Sequence, residues 1–211
     1  MNCSSEVIYK IFSEVESVSM FTISGGEPSL VPEVIENIYN EIMYHKVEIG
    51  YVYCVSNGHI HNKYKDFLEA YNNIVNLTND KECCVLDISR DQFHSSFWNQ
   101  KYLYKLNEYQ EEFPFINLDN RNRYIYDVVS EGRGAKIAGS FDKVFRGVEF
   151  DEDENMISGE LYISSNGNVT LDCDMSYINI DKKCIGNILN NSLSDILAPY
   201  MDNDRFKEEA A

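Results

Sequence analysis

Basic residues are scarce in this chain: 18 Lys and Arg stand against 35 Asp and Glu, giving a formal net charge of −17 over 211 residues. Such a charge repels phosphate backbones and anionic membranes, so direct nucleic-acid binding and membrane attachment are both disfavoured. No basic segment followed by an apolar one opens the sequence, and no apolar run reaches the roughly 18 residues of a membrane span. A cytoplasmic protein is the expectation. Proline is also rare, at four residues, whereas 44% hydrophobic and 13% aromatic residues suffice for a folded core.

Several signatures are absent as well. No Lys-Ser or Lys-Thr follows Gly25-Gly26, so the pair is neither a phosphate loop nor a dinucleotide fingerprint. No nucleophile-elbow pattern supports a Ser-His-Asp hydrolase. His45, His59, His61 and His94 have no metal-ligand spacing with cysteines or acids, although His59 and His61 fall on a strand-end loop, where sites form. The six cysteines (Cys3, Cys54, Cys83, Cys84, Cys173, Cys184) need not pair in a reducing compartment. Cys54, Cys83 and Cys84 lie in apolar, strand-like runs and read as small buried residues.

What is present is organised around Thr22-Ile23-Ser24-Gly25-Gly26-Glu27-Pro28, where an apolar strand ends in two glycines and an acid. Pro32 suits the first turn of a following helix, whose face is Val34, Ile35, Ile38 and Ile42. Around this strand, turn and helix the sequence alternates. A short amphipathic helix is predicted from Ser5 to Val15, strands at Met20–Ser24, Tyr51–Ser56 and Cys83–Ser89, and helices at Pro32–Met43 and through Tyr64, Phe67, Leu68, Tyr71, Ile74 and Val75. The unbroken Tyr51–Ser56 run suits a parallel sheet covered on both faces. Phe97, Leu103, Leu106 and Tyr109 predict a further helix and Pro114–Leu118 a strand, followed by an uncertain element at Tyr124–Arg133 and a last strand near Phe145–Phe150. The acidic run Asp151-Glu152-Asp153-Glu154 reads as a solvated turn or boundary. Beyond it, Glu160–Ser164 and Asn168–Cys173 flank Ser165-Asn166-Gly167 as a hairpin, and Ser192–Leu197 is a short closing helix. Together these predict an α/β fold.

Ile23-Ser24-Gly25-Gly26-Glu27-Pro28 resembles the Gly-Gly-Glu-Pro motif of radical S-adenosylmethionine enzymes. Three further segments are similar to that family in the same order: Ser56-Asn57-Gly58, Ile88-Ser89-Arg90-Asp91-Gln92-Phe93-His94 and Glu131-Gly132-Arg133. In the tail, Gly167–Cys173, Cys184–Ile188 and Ser192–Ile196 resemble the SPASM or Twitch appendage of peptide-modifying members. The resemblance implies a partial (β/α) TIM-like barrel over residues 1–150, lacking its first strand, with a small β-hairpin and helix appendage over 151–211. It implies an S-adenosylmethionine site formed by Gly25, Gly26, Glu27, Pro28, Ser56, Asn57, Ser89 and Asp91, in which the glycines and Glu27 receive the methionine ammonium. In the appendage it implies Cys173 and Cys184 as candidate iron-sulfur ligands. An iron-sulfur cluster takes about four thiolates and the tail has two, which favours structural cysteines there.

The family's Cys-x-x-x-Cys-x-x-Cys, which holds a four-iron four-sulfur cluster, has no counterpart in this sequence. By resemblance, Met1 to Ile8 corresponds to the start of the first helix, downstream of that motif. A truncated or degenerate radical S-adenosylmethionine protein is therefore expected, inactive as this chain stands and related to enzymes that modify peptides or proteins. Whether it is a fragment or a natural remnant stays open. The alternative is a non-enzymatic acidic binding or inhibitor protein that uses the scaffold as an interaction surface. In either case the expected partner is a peptide or protein, not nucleic acid or membrane.

Overall fold

The computed structural model describes residues 3–89, 100–118, 148–152, 156–171 and 177–201. The chain divides into two compact units, one spanning Val15–Arg123 and the other combining Cys3–Glu14 with Tyr124–Ala211. No helix among the described residues is long and apolar enough to cross a membrane.

The Val15–Arg123 unit is α/β. Strands β1 (Ser17–Ile23), β2 (Glu48–Ser56), β3 (Val85–Ile88) and β4 (Ile116–Asn117) form a four-stranded sheet in that order, with every pairing parallel. Each strand connects to the next through a helix: α2 (Pro32–His45), α3 (Tyr64–Leu77) and α4 (Gln100–Glu112). Pro32 does occupy the first turn of α2, where its missing N–H costs nothing. That helix ends where Lys46 takes a left-handed conformation, φ 59°. Its buried stripe is Ile35, Ile38 and Ile42, the helical spacing read from the sequence.

The fully buried side chains of this unit include Ile35 and Ile42 of α2, Phe67, Leu68, Tyr71 and Ile74 of α3, Leu106 of α4, and Val52, Cys54, Leu86 and Ile88 at alternate positions of the strands. Tyr71 ties helix to sheet, its hydroxyl shared between the Val52 and Val85 carbonyls at 3.1 and 2.8 Å. β1 is an outer strand of this sheet and is mostly exposed, with Met20 42% accessible. It approaches β2 so closely that a Cβ on Gly50 would lie 2.2 Å from the Ser19 carbonyl oxygen.

The third strand differs from its prediction. Lys81–Cys83 forms a tight 3-10 turn, capped by Asp80, whose carboxylate accepts from the Cys83 N–H at 3.3 Å. Cys83 is consequently exposed rather than buried, while Cys54 and Cys84 are buried as expected. α3 has already ended at Leu77, with Thr78 as its C-cap, and the 3-10 turn delays the strand to Val85.

In the second unit, α1 (Ser5–Ser13) is capped by the Ser4 side chain and buries Val7, Ile8 and Phe12. The Glu14 carboxylate following it accepts from the Leu193 N–H. β5 (Glu149–Phe150) and β6 (Met156–Ser158) pair antiparallel across the acidic run. β7 (Tyr162–Ile163), β8 (Asn168–Thr170) and β9 (Gly186–Asn187) form a three-stranded antiparallel sheet. The hairpin expected at Ser165-Asn166-Gly167 is present, with Gly167 at φ +84°, a conformation glycine adopts without strain. Helices α5 (Tyr177–Lys182) and α6 (Leu193–Leu197) complete the unit, around Val148, Phe150, Leu171 and Leu197. The expected element at Tyr124–Arg133 lies outside the described residues.

Candidate strand-end site

Ligands of open parallel sheets bind beyond the carboxyl ends of the strands, and a carboxylate with four hydrogen bonds, that of Glu27, stands there. Glu27 follows β1 directly after Gly25 and Gly26. Its Oε1 accepts three hydrogen bonds: from the Ser29 N–H at 3.2 Å, the Ser29 hydroxyl at 2.7 Å and the Ser56 hydroxyl at 2.8 Å. Its Oε2 accepts from the Asn57 N–H at 2.8 Å. A carboxylate offers about four lone-pair sites, two on each oxygen. Three donors crowd Oε1, so the capacity that remains is on Oε2.

The network extends on both sides. Ser56, at the end of β2, accepts from the Gly58 N–H at 3.1 Å, and the Asn57 side chain accepts from the His59 N–H at 2.8 Å. These bonds fix the Ser56-Asn57-Gly58 turn. The Ser89 N–H, just past β3, donates to the Ser56 carbonyl at 2.8 Å. On the other side, the Ser29 hydroxyl lies 3.1 Å from His61 Nε2, and the Lys63 N–H donates to His61 Nδ1 at 3.2 Å.

The charge state of each neighbour follows from burial. Desolvation first, then His59, hold the His61 pKa below its ordinary value, Lys63 acting the same way and Glu27 opposing them. The neutral ring is thereby favoured in the folded state. Its contribution to stability is complete above the ordinary histidine pKa and is lost as pH falls through that value towards the folded one. Cys54 is pushed up, chiefly by burial and secondarily by the Glu27 charge, and stays a thiol. Tyr64 is pushed up chiefly by burial. Its hydroxyl is near enough to Ser56 to feel it, yet has no hydrogen bond of good geometry among the described residues. Because a buried hydroxyl without a partner contributes only its desolvation cost, Tyr64→Phe is expected to leave stability unchanged or raise it by up to about 1 kcal/mol in thermal denaturation.

Of the residues expected to form the cofactor site, Gly25, Gly26, Glu27, Pro28, Ser56 and Asn57 come together here, and Ser89 joins them through its backbone. Asp91 lies outside the described residues. Gly25 and Gly26 are exposed, and a Cβ built on either would meet nothing within 4 Å. Gly25, at φ +154°, has a conformation that side chains rarely adopt, and Gly26 borders open space beside the carboxylate. Pro28 is buried and opens the 3-10 turn that carries Ser29. Cys184 belongs to the other unit, where its thiol donates to the Gly186 carbonyl at 2.9 Å. Cys173 lies outside the described residues. Among the described residues no three His, Cys, Asp or Glu side chains are grouped to hold a metal ion.

Ser29 and His61 were not among the expected site residues. Ser29 carried one local signal, a hydroxyl two residues after an acid at the start of a turn. His61 carried only its position on the strand-end loop, and it reaches the site as a hydrogen-bonding partner.

Fold and site together define an α/β protein with a hydrogen-bonded carboxylate at the ends of two adjacent parallel strands. No protein-family model and no curated protein matches the chain.

Proposed function

We propose that this strand-end cluster is a residual S-adenosylmethionine site on a partial barrel of the radical S-adenosylmethionine type, binding the amino-acid end of the ligand without cleaving it. The observation that carries this reading is the Glu27 carboxylate, joined to both Ser56 and Asn57 beside two glycines with open space over them. An ammonium supplies the charge and the N–H donors that the spare capacity of Oε2 can accept. The glycine turn gives the ligand backbone access, and Ser56 and Asn57 keep the carboxylate in place. In the family that these motifs resemble, S-adenosylmethionine supplies a 5′-deoxyadenosyl radical when a reduced cluster donates the electron. The residues of this chain bind and orient; the three-cysteine spacing that holds such a cluster is absent from the sequence.

Isothermal titration with S-adenosylmethionine tests the reading. Wild-type protein is expected to bind, and Gly26→Ala to weaken binding while stability stays within about 0.5 kcal/mol, because its methyl enters only the open space. Absence of binding by the wild-type protein would overturn the site and favour the acidic binding-protein alternative. Anaerobic reconstitution with iron and sulfide is expected to give little cluster absorbance. A stoichiometric four-iron cluster with S-adenosylmethionine cleavage would overturn the non-cleaving reading.

A further inference from the structure

The Ser29 hydroxyl has a single proton and two polar neighbours, the Glu27 carboxylate at 2.7 Å and His61 Nε2 at 3.1 Å. An ionised carboxylate can only accept, so the serine proton goes to Glu27. His61 must then be the donor at Nε2. The other ring nitrogen confirms the assignment, since Nδ1 accepts from the Lys63 N–H and therefore carries a lone pair. One neutral tautomer satisfies both ends. The resulting chain runs from the Lys63 backbone through the imidazole and Ser29 to Glu27.

From this we infer that His61 is a positioning residue for the cation site: through Ser29 it orients Glu27, and its protonation weakens the binding of an ammonium ligand there. The inference rests on the cation-binding reading proposed above. Protonation has two effects in the same direction. A proton on Nδ1 would face the Lys63 N–H, donor against donor, and break the contact that sets the ring. The imidazolium would also place a positive charge one hydroxyl away from Glu27, competing with the ligand for the same carboxylate.

Other groups around the ring do not produce the same step. On the same loop, His59 and Lys63 both act against protonation of the ring. Glu33 of α2 is taken by Lys63 at 3.3 Å. Tyr64 of α3 packs edge-on at 6.0 Å with its phenol held neutral by burial. Ser29 is fully buried, so the relay is closed to water where it meets the carboxylate.

Titration calorimetry with S-adenosylmethionine between pH 5.5 and 7.5 tests the role, with melting temperatures measured on each variant. Wild-type affinity is expected to rise about tenfold across this range, the coupling of one neighbouring charge. His61→Gln, whose amide can still donate to Ser29, is expected to flatten the profile to about twofold or less, while His59→Gln keeps the step. A His61→Gln protein with the full wild-type step overturns the role. In parallel, nitrogen-15 NMR of the ligand-free protein should show the Nε2–H tautomer of His61, with a titration that Ser29→Ala displaces. The relay falls if the Nδ1–H tautomer is found or if Ser29→Ala leaves the titration unmoved. Should the relay be present by NMR while S-adenosylmethionine does not bind, the ligand reading and the binding role built on it fail together, with the tautomer assignment intact.

Discussion

Glu27→Ala is expected to abolish measurable S-adenosylmethionine binding and to destabilise the protein by about 3 kcal/mol, read from the denaturant midpoint. The substitution strands four donors at once: the Ser29 N–H and hydroxyl, the Ser56 hydroxyl and the Asn57 N–H. Ser29 and Ser56 are almost entirely out of solvent, so water cannot replace the lost acceptor without opening the turn. Glu27→Gln separates charge from shape. Its amide oxygen can keep the three donors of Oε1, but its NH2 then faces the Asn57 N–H, so an intermediate loss of about 1–2 kcal/mol is expected, with binding still lost. An alanine variant as stable as the wild type would show that the network contributes nothing to folding.

Gly50→Ala is expected to cost about 3 kcal/mol in the same assay, for an unrelated reason. The new methyl would stand 2.2 Å from the Ser19 carbonyl oxygen and 3.1 Å from its carbon. These are backbone atoms of the adjacent strand, with no rotamer to yield. Relief requires β1 to separate from β2, in the middle of a register running from Ser17 opposite Glu48 to Ile23 opposite Cys54. Faster amide exchange in β1 should accompany the loss of stability. Unchanged stability would mean that the strands can part there without cost. Glu27 and Gly50 thus test the two supports of the site, the carboxylate that closes the loops and the sheet that carries them.

The α/β alternation through Ser89 was legible because each element carries a periodic signal. The isoleucines of α2 recur at helical spacing, and the Tyr51–Ser56 run is apolar throughout. Turn chemistry was harder to weigh. Asp80 captures the Cys83 N–H and converts the first residues of an expected strand into a 3-10 turn, a side-chain effect that hydrophobicity does not report. The glycine turn and its acid were readable as a strand end, and the neighbouring Ser56-Asn57-Gly58 as another. Their joining through Glu27 was expected only through a family resemblance. The Ser29–His61 contact joins residues 32 positions apart. Nothing in composition or periodicity marks such a pair, because it is produced by the lateral spacing of two parallel strands and the turns that leave them.

The saturation of Glu27 Oε1 has an evolutionary consequence. A carboxylate that serves only a ligand is free to drift once the ligand is no longer used. Here the same oxygen holds two strand-end loops together, so purifying selection for folding would retain Glu27, Ser29 and Ser56 after selection for binding had lapsed. Gly26 has no such protection, since a side chain there would enter open space, whereas Gly25 is kept by its φ of +154°. In any lineage that abandons the site, Gly26 should be replaced first, with the acid persisting behind it.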